Sequence, residues 1–311
     1  MNRLFKVTSN VSRCYSKSFK NLGVIGAGQM GNGIALVGSQ NANFNVKVID
    51  TNQETLDAAK AFNEKLLARQ VKKEKITDDQ ATEILGRIQY STDMETLSDS
   101  DLVVEAVSEN TELKKTLFKE LDRITPKDAI LASNTSSISI TKIAAATTRP
   151  EKVIGMHFMN PVPVMKLVEV IKGLGTDEET YKSTVELAEA MGKTTTLSRD
   201  VPGFIANRIL MPYINEAIQV LYEGISTVDV VDTALVQGTN VPMGALTLAD
   251  FIGLDTVLAI LEVLHTQLGD SKYRPSPLLR KMVEANYLGV KNGTGFYTWK
   301  AGKKQGVNPN L

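Results

Sequence analysis

The chain has little sulfur or imidazole to work with. One cysteine, Cys14, and two histidines, His157 and His265, are spread over 311 residues. A single cysteine closes no intramolecular disulfide and builds no thiolate cluster, and two distant histidines make a poor start for a multi-histidine metal site. No metal is expected. Long apolar runs are also missing, since nothing approaches the roughly eighteen continuous apolar residues of a membrane span. Internal repeats and low-complexity tracts are absent too. Net charge is zero, with 35 Lys and Arg against 35 Asp and Glu, but the balance hides an asymmetry. Residues 1–20 hold Arg3, Lys6, Arg13, Lys17 and Lys20 and no acid, which leaves 30 basic against 35 acidic residues in the remainder. That acidic body argues against a general nucleic-acid surface. The basic, serine-containing arm reads as an organellar presequence, too broken in its apolar part for a secretory signal, with a disordered basic tail as the alternative.

What is present begins at Asn21. The apolar run 22–25 enters Gly26-Ala27-Gly28-Gln29-Met30-Gly31, then a small-residue helical pattern, then the apolar run 46–49 closed by Asp50. Strand, glycine turn, helix, strand and acid form the dinucleotide-binding fingerprint in the context that makes it specific. Gly26 permits the tight turn, Gly28 lets the backbone approach a pyrophosphate, and Gly31 lets helix and strand pack closely. The free amides at the helix start face the anion. Asp50, nineteen residues after Gly31, is placed to accept from a ribose 2′-hydroxyl and to repel a 2′-phosphate. The coenzyme expected is NAD.

Further along, helical periodicity covers 51–67, 76–86, 111–123 and 177–192, with strands at 88–92, 102–107, 129–133, 153–157, 166–171 and 194–197. The run 69–75 is basic and reads as a solvated face. Strands alternating with helices predict a doubly wound sheet to about residue 198. From Val201 the rhythm becomes helical, over 204–223, 227–237, 247–268 and 276–285. The expected organisation is a presequence over 1–20, a Rossmann-type dinucleotide-binding domain over 21–200, and an all-helical domain over 201–311. The helical part carries more apolar surface than one layer of helices would hide, so a dimer interface is its natural sink.

Ligands of open α/β sheets bind beyond the carboxyl ends of the strands. The sequence delivers Glu109, Asn134, Ser136, Ser137, His157 and Asn160 there. Glu169 lies in an otherwise apolar strand. A buried carboxylate needs a partner, and His157 is the obvious one: a base with its orienter. A strand half open to solvent would instead leave Glu169 pointing outward. Asn207 starts the first helix of the second domain and can reach back across the cleft, whereas His265 reads as structural or surface. A Ser136–His157–Glu169 hydrolase can also be drawn, but it has no GxSxG elbow and leaves the glycine fingerprint unused.

The ordered series GVIGAGQMGNGIA, DLVVEAVSEN, ASNTSSISI, GMHFMNPVPVMKLVEVI, VPGFIANRIL, PMGALTLADFIGLD and GTGFY closely resembles the NAD-dependent L-3-hydroxyacyl-CoA dehydrogenases, including the 3-hydroxybutyryl-CoA dehydrogenases, from about Asn21 to Trp299. The resemblance implies that a catalytic His–Glu dyad falls on His157 and Glu169, an active-site serine on Ser136, and substrate-side asparagines on Asn160 and Asn207. Glu109 and Lys114 match the acid and lysine beside the nicotinamide, and Ser136 and Asn160 count among the coenzyme contacts as well. Lys72 and Lys291 match lysines of the CoA moiety, Lys291 being grouped also with the coenzyme. The implied reaction is reversible oxidation of the C3 hydroxyl of a short- to medium-chain L-3-hydroxyacyl-CoA in fatty-acid β-oxidation. The implied setting is a stand-alone homodimer of the mitochondrial matrix. Two departures stand out: Ala245 where the family favours proline, and Ser198-Arg199-Asp200-Val201 ahead of Pro202-Gly203-Phe204. A free hydroxy-acid dehydrogenase, or a non-catalytic NAD-binding protein that kept the fold, are the rival readings.

Replacing Asp50 with alanine should weaken NADH binding relative to NADPH. Titration of both coenzymes checks this, and an unchanged ratio would refute the ribose assignment.

Overall fold

The computed structural model describes residues 19–311; residues 1–18, which carry Cys14 and most of the expected presequence, lie outside the described residues. Phe19 and Lys20 belong to the described domain: Phe19 packs against its core, and the Lys20 amide donates to Asp101 Oδ2 at 2.8 Å.

The first domain runs β1 (Asn21–Ile25), α1 (Gln29–Ala42), β2 (Asn45–Ile49), α2 (Gln53–Lys72), α3 (Asp78–Gly86), β3 (Ile88–Ser91), β4 (Leu102–Glu105), α4 (Thr111–Ile124), β5 (Ile130–Ser133), α5 (Ile140–Ala144), β6 (Val153–Phe158), β7 (Leu167–Lys172), α6 (Glu178–Ala190) and β8 (Thr194–Arg199). Its eight strands are ordered β3-β2-β1-β4-β5-β6-β7-β8. Strands apolar at successive positions are buried on both faces. Leu22, Val24, Val46 and Val48 face α1, while Ile25, Ile49, Val103 and Leu131 pack on the opposite face with Phe118 and Ile140. β1 to β6 pair in parallel, but β7 runs antiparallel to β6. The reason is local: residues 159–166 are too few for the crossover helix that a parallel return needs.

The second domain comprises α7 (Ala206–Tyr222), α8 (Val228–Thr239), α9 (Ala245–Ile252), α10 (Leu254–Leu268) and α11 (Pro277–Glu284), closed by a hairpin of β9 (Tyr297–Lys300) and β10 (Lys303–Val307). Two expectations need correction. The domain is not all-helical, and the helix expected over 247–268 is two helices. Gly253, at φ +99°, breaks it, and its amide still bonds Ala249 O as the end of α9.

The hairpin was unreadable from periodicity because buried carboxylates, not an apolar stripe, fasten it. Asp250 is fully buried and accepts from the amides of Phe296 and Tyr297, both at 2.9 Å, and from the indole of Trp299 at 2.8 Å. Asp232 accepts from the amides of Leu246 and Thr247 at the start of α9 and from Tyr297 Oη. Glycines make room for both acids. A Cβ on Gly244 would lie 2.2 Å from Asp232 Cγ, and one on Gly295 would lie 2.0 Å from Asp250 Oδ1. These contacts account for the glycine of PMG and the second glycine of GTGFY. Ala245 occupies the first position of α9, where the family's proline would also fit.

Asp250→Asn turns one acceptor oxygen into a donor against the donors it now serves. A lost buried partner costs about 1–3 kcal/mol. The variant should melt lower, and the emission of Trp299, the sole tryptophan, should shift to the red. Unchanged melting and emission would contradict this anchoring.

Candidate active site

The turn 26–31 joins β1 to α1. A Cβ on Gly31 would sit 1.8 Å from Gly26 O, and one on Gly26 would sit 2.8 Å from Ala106 O, so both positions require glycine. At Gly28, by contrast, an added Cβ meets no atom within 4 Å. Gly28 is also the N-cap of α1, with no side-chain cap and no acid in the first turn. The helix start is therefore open and free of competing negative charge, which suits the pyrophosphate of a dinucleotide. Asp50 directly follows β2, accepting from the Ala27 amide at 2.9 Å and the Asn52 amide at 3.0 Å. It thereby ties the acid to the turn.

Beyond β4 and β5 lies a charged group. Glu109 Oε1 accepts from the Ser136 amide at 2.5 Å and from Ser136 Oγ at 2.9 Å, while Thr135 Oγ1 donates to both of its oxygens. Lys114, 1% exposed, reaches Glu109 Oε2 at 3.5 Å and Glu105 Oε1 at 2.6 Å. Glu105 is wholly buried at the end of β4 and accepts also from Ser133 Oγ at 2.6 Å and the Val107 amide at 2.7 Å. The structure thus brings Glu109, Lys114 and Ser136 together. It adds Glu105, which the sequence reading passed over, although a carboxylate closing the buried strand LVVE is the same signal that singled out Glu169.

The antiparallel β6–β7 pair sets His157 directly opposite Glu169. His157 Nδ1 lies 2.8 Å from Glu169 Oε2. Oε1 of the same carboxylate accepts from the amides of Ile205 and Ala206, at 2.9 Å each, where α7 begins. Burial pushes the Glu169 carboxyl up, but the bonds from His157, Ala206 and Ile205 outweigh it and hold the group below the usual glutamate range. An ionised carboxylate only accepts, so in the neutral ring the proton is on Nδ1 and the lone pair on Nε2. The imidazole packs against Phe204, with centroids 5.7 Å apart.

Asn134 accepts from the Phe158 amide at 2.8 Å, binding the ends of β5 and β6 together. Asn160 is exposed and joined to Pro161 by a cis peptide, and Asn207 is half-buried in the first turn of α7. Ser136 is bonded to Glu109 rather than to His157, so no serine-hydrolase triad is assembled. Lys72 ends α2, exposed. Lys291 is bonded within the helical domain, to Asp255 Oδ1 at 2.7 Å and Thr256 Oγ1 at 2.9 Å. Any anion it receives must compete with Asp255. Among the described residues there is no cluster suited to a metal ion, and no helix is long and apolar enough to cross a membrane.

An open glycine turn tied to the acid that follows β2, in a sheet that also carries an imidazole bonded to a buried carboxylate, is the arrangement of an NAD-dependent dehydrogenase. The comparisons make it particular. A family model described as 3-hydroxyacyl-CoA dehydrogenase, NAD binding domain, matches residues 21–201, and its C-terminal counterpart matches 203–299. A probable 3-hydroxybutyryl-CoA dehydrogenase of Deinococcus radiodurans is 57% identical over 277 residues, covering 89% of this chain and 99% of that one. The human mitochondrial hydroxyacyl-coenzyme A dehydrogenase is 42% identical over 288 residues, covering 90% and 91%. The crystal structure of (S)-3-hydroxybutyryl-CoA dehydrogenase from Ralstonia eutropha has a TM-score of 0.88 at 46% identity, covering 91% of this chain and 100% of that one. The chain belongs to the 3-hydroxyacyl-CoA dehydrogenase family.

Removing one partner of a buried ion pair leaves the other charge uncompensated, at a cost of roughly 3–5 kcal/mol. Glu105→Gln should therefore lower the melting temperature clearly, and adding Lys114→Met should recover part of the loss. A single variant as stable as the parent would sink this account of the pair.

Proposed function

We propose that the chain catalyses reversible oxidation of the C3 hydroxyl of short- to medium-chain L-3-hydroxyacyl-CoA, 3-hydroxybutyryl-CoA included, to the 3-ketoacyl-CoA, as in fatty-acid β-oxidation. The observation that carries this is the His157–Glu169 bond at 2.8 Å, with Nε2 left as the free base. NAD, when bound, supplies the hydride acceptor at nicotinamide C4. His157 Nε2 takes the hydroxyl proton as C3 is oxidised, and the Glu169 anion stabilises the imidazolium that results. In the reverse direction the imidazolium returns the proton to the developing alkoxide. Ser136 and Asn207 hold the C3 oxygen, and Asn160 lines the substrate side. The 26–31 turn and Asp50 hold the dinucleotide, Glu109 and Lys114 its nicotinamide end. Lys72 on its exposed helix end meets the CoA phosphates, and Lys291 contributes once Asp255 yields it. Closing the helical domain on the sheet aligns donor and acceptor and excludes water.

A homodimer through the helical domain completes the reading. It is supported by an apolar groove of about 500 Å³ between α7 and α8, lined by Ala217, Val220, Ile225, Val230 and Leu235. The basic arm ahead of Phe19 acts as a presequence for the mitochondrial matrix, shorter than the expected 1–20 because Phe19 and Lys20 pack with the sheet domain. Its acid-free basic composition supports this, as does the mitochondrial designation of the human relative, whereas the bacterial relatives carry no such designation.

Purified protein should reduce acetoacetyl-CoA with NADH, and His157→Gln should depress turnover by roughly 10²–10⁴ with coenzyme affinity nearly intact. Binding of NADH without turnover of any 3-ketoacyl-CoA, or equal rates in variant and parent, would overturn the assignment.

A further inference from the structure

The linker between the domains contains a turn that no role above absorbs. Gly203 and Phe204 both lie in the left-handed region, at φ +74° and +47°. Glycine adopts that conformation freely. For phenylalanine it is strained, and it persists only where the surroundings hold it. Both sides of the turn do so. A Cβ on Gly203 would lie 2.7 Å from Leu264 Cδ2 on α10, so the turn is closed against the helical domain. Phe204, 2% exposed, is buried in the other direction, within the core shared by Phe118, Ile140 and Ile171 of the sheet domain. There its ring meets the imidazole of His157, tilted by 59° at 5.7 Å between centroids. The next two amides, those of Ile205 and Ala206, both point at Glu169 Oε1. One strained residue therefore directs a ring onto the histidine and two N–H groups onto its partner. An extended or right-handed conformation at 204 would send ring and amides in different directions.

We propose that Phe204 is a positioning residue for the His157–Glu169 pair. Its ring walls the imidazole slot, and its left-handed backbone aims the Ile205 and Ala206 amides at Glu169, so the base is set only while the helical domain is seated on the sheet. This rests on His157 acting as the base, and it deepens that reading by bringing the second domain into the dyad.

Phe204→Gly separates the two contributions, because glycine tolerates φ +47° while removing the ring. Turnover of acetoacetyl-CoA should fall roughly ten- to hundredfold, the loss that a misplaced reacting group brings, with KM and NADH affinity within about twofold of the parent. A second readout is spectroscopic. The chain has two histidines, so ¹⁵N-histidine labelling gives two imidazoles, distinguished by His265→Gln. In the parent, neutral His157 should show a protonated Nδ1 and an unprotonated Nε2; in Phe204→Gly the two shifts should move toward each other as tautomers mix. Turnover within about twofold of the parent, or unmoved His157 resonances, overturns the proposal. Should Phe204→Gly fail to fold, Phe204→Ala, which also removes the ring, carries the same two readouts, and parental values there are equally fatal. Running His157→Gln alongside keeps the two readings apart. If it retains turnover, the base assignment itself fails. If it loses turnover while Phe204→Gly does not, only the role of Phe204 fails.

Discussion

The Glu169 carboxylate has one oxygen on the His157 ring and the other on two amides of a different domain, and the rest of the architecture serves that arrangement. A fully buried carboxylate is tolerable only if its lone pairs are met by donors. Here three N–H groups meet it, from β6 and from the start of α7. With those donors in place the acid is held below the usual glutamate range despite burial, so in the neutral ring the proton sits on Nδ1, toward Glu169. Remove the helical domain from its seat and two of the three donors leave together. The glutamate then faces the choice of taking a proton or breaking its bond to the histidine. Orientation of the His157 imidazole and docking of the domains are one constraint.

The same device recurs through the molecule. Asp250 fastens the closing hairpin, Asp232 starts α9, and Glu105 neutralises the buried Lys114 beneath Glu109. Asp200, in the linker itself, caps α5 through Ser139 Oγ at 2.7 Å and the amides of Ile140 and Thr141 at 3.0 and 2.8 Å. Each carboxylate joins segments far apart in sequence where an apolar contact would leave orientation loose. Hydrogen bonds to a charged acceptor are directional and roughly twice as strong as neutral ones, so they fix angles as well as proximity. The linker is thus held at both ends, by Asp200 toward the loop that bears Ser136 and by Glu169 toward the dyad. Its unusual Ser198–Val201 lead-in supplies the acid that makes the first of those attachments.

Much of this was legible in residue order, for reasons that differ from place to place. The 21–50 unit is written locally, because glycine spacing, apolar runs and a terminal acid all act within one βαβ segment. His157 and Glu169 stood out because a polar residue at a strand end and a carboxylate within an apolar strand both violate the pattern around them. What periodicity could not carry was direction. The antiparallel turn of β7 that sets the two residues face to face follows from the shortness of 159–166, a constraint on chain length rather than composition. The final hairpin was likewise invisible, since Asp250 and Asp232 look like ordinary surface acids until the glycines that make room for them are placed in space. The break at Gly253 was hidden by apolar periodicity that continues on both sides of it.

Strain at Phe204 completes the logic of the linker. A chain that merely tethered two domains would take relaxed conformations at a glycine-containing turn. This one places a bulky residue where only glycine is comfortable, and buries its ring in the core of one domain while the preceding glycine lies flat against the other. Together the two contacts make the left-handed turn conditional on both domains being present, and the two amides aimed at Glu169 inherit that condition. The seating of the helical domain then reaches the imidazole through backbone geometry.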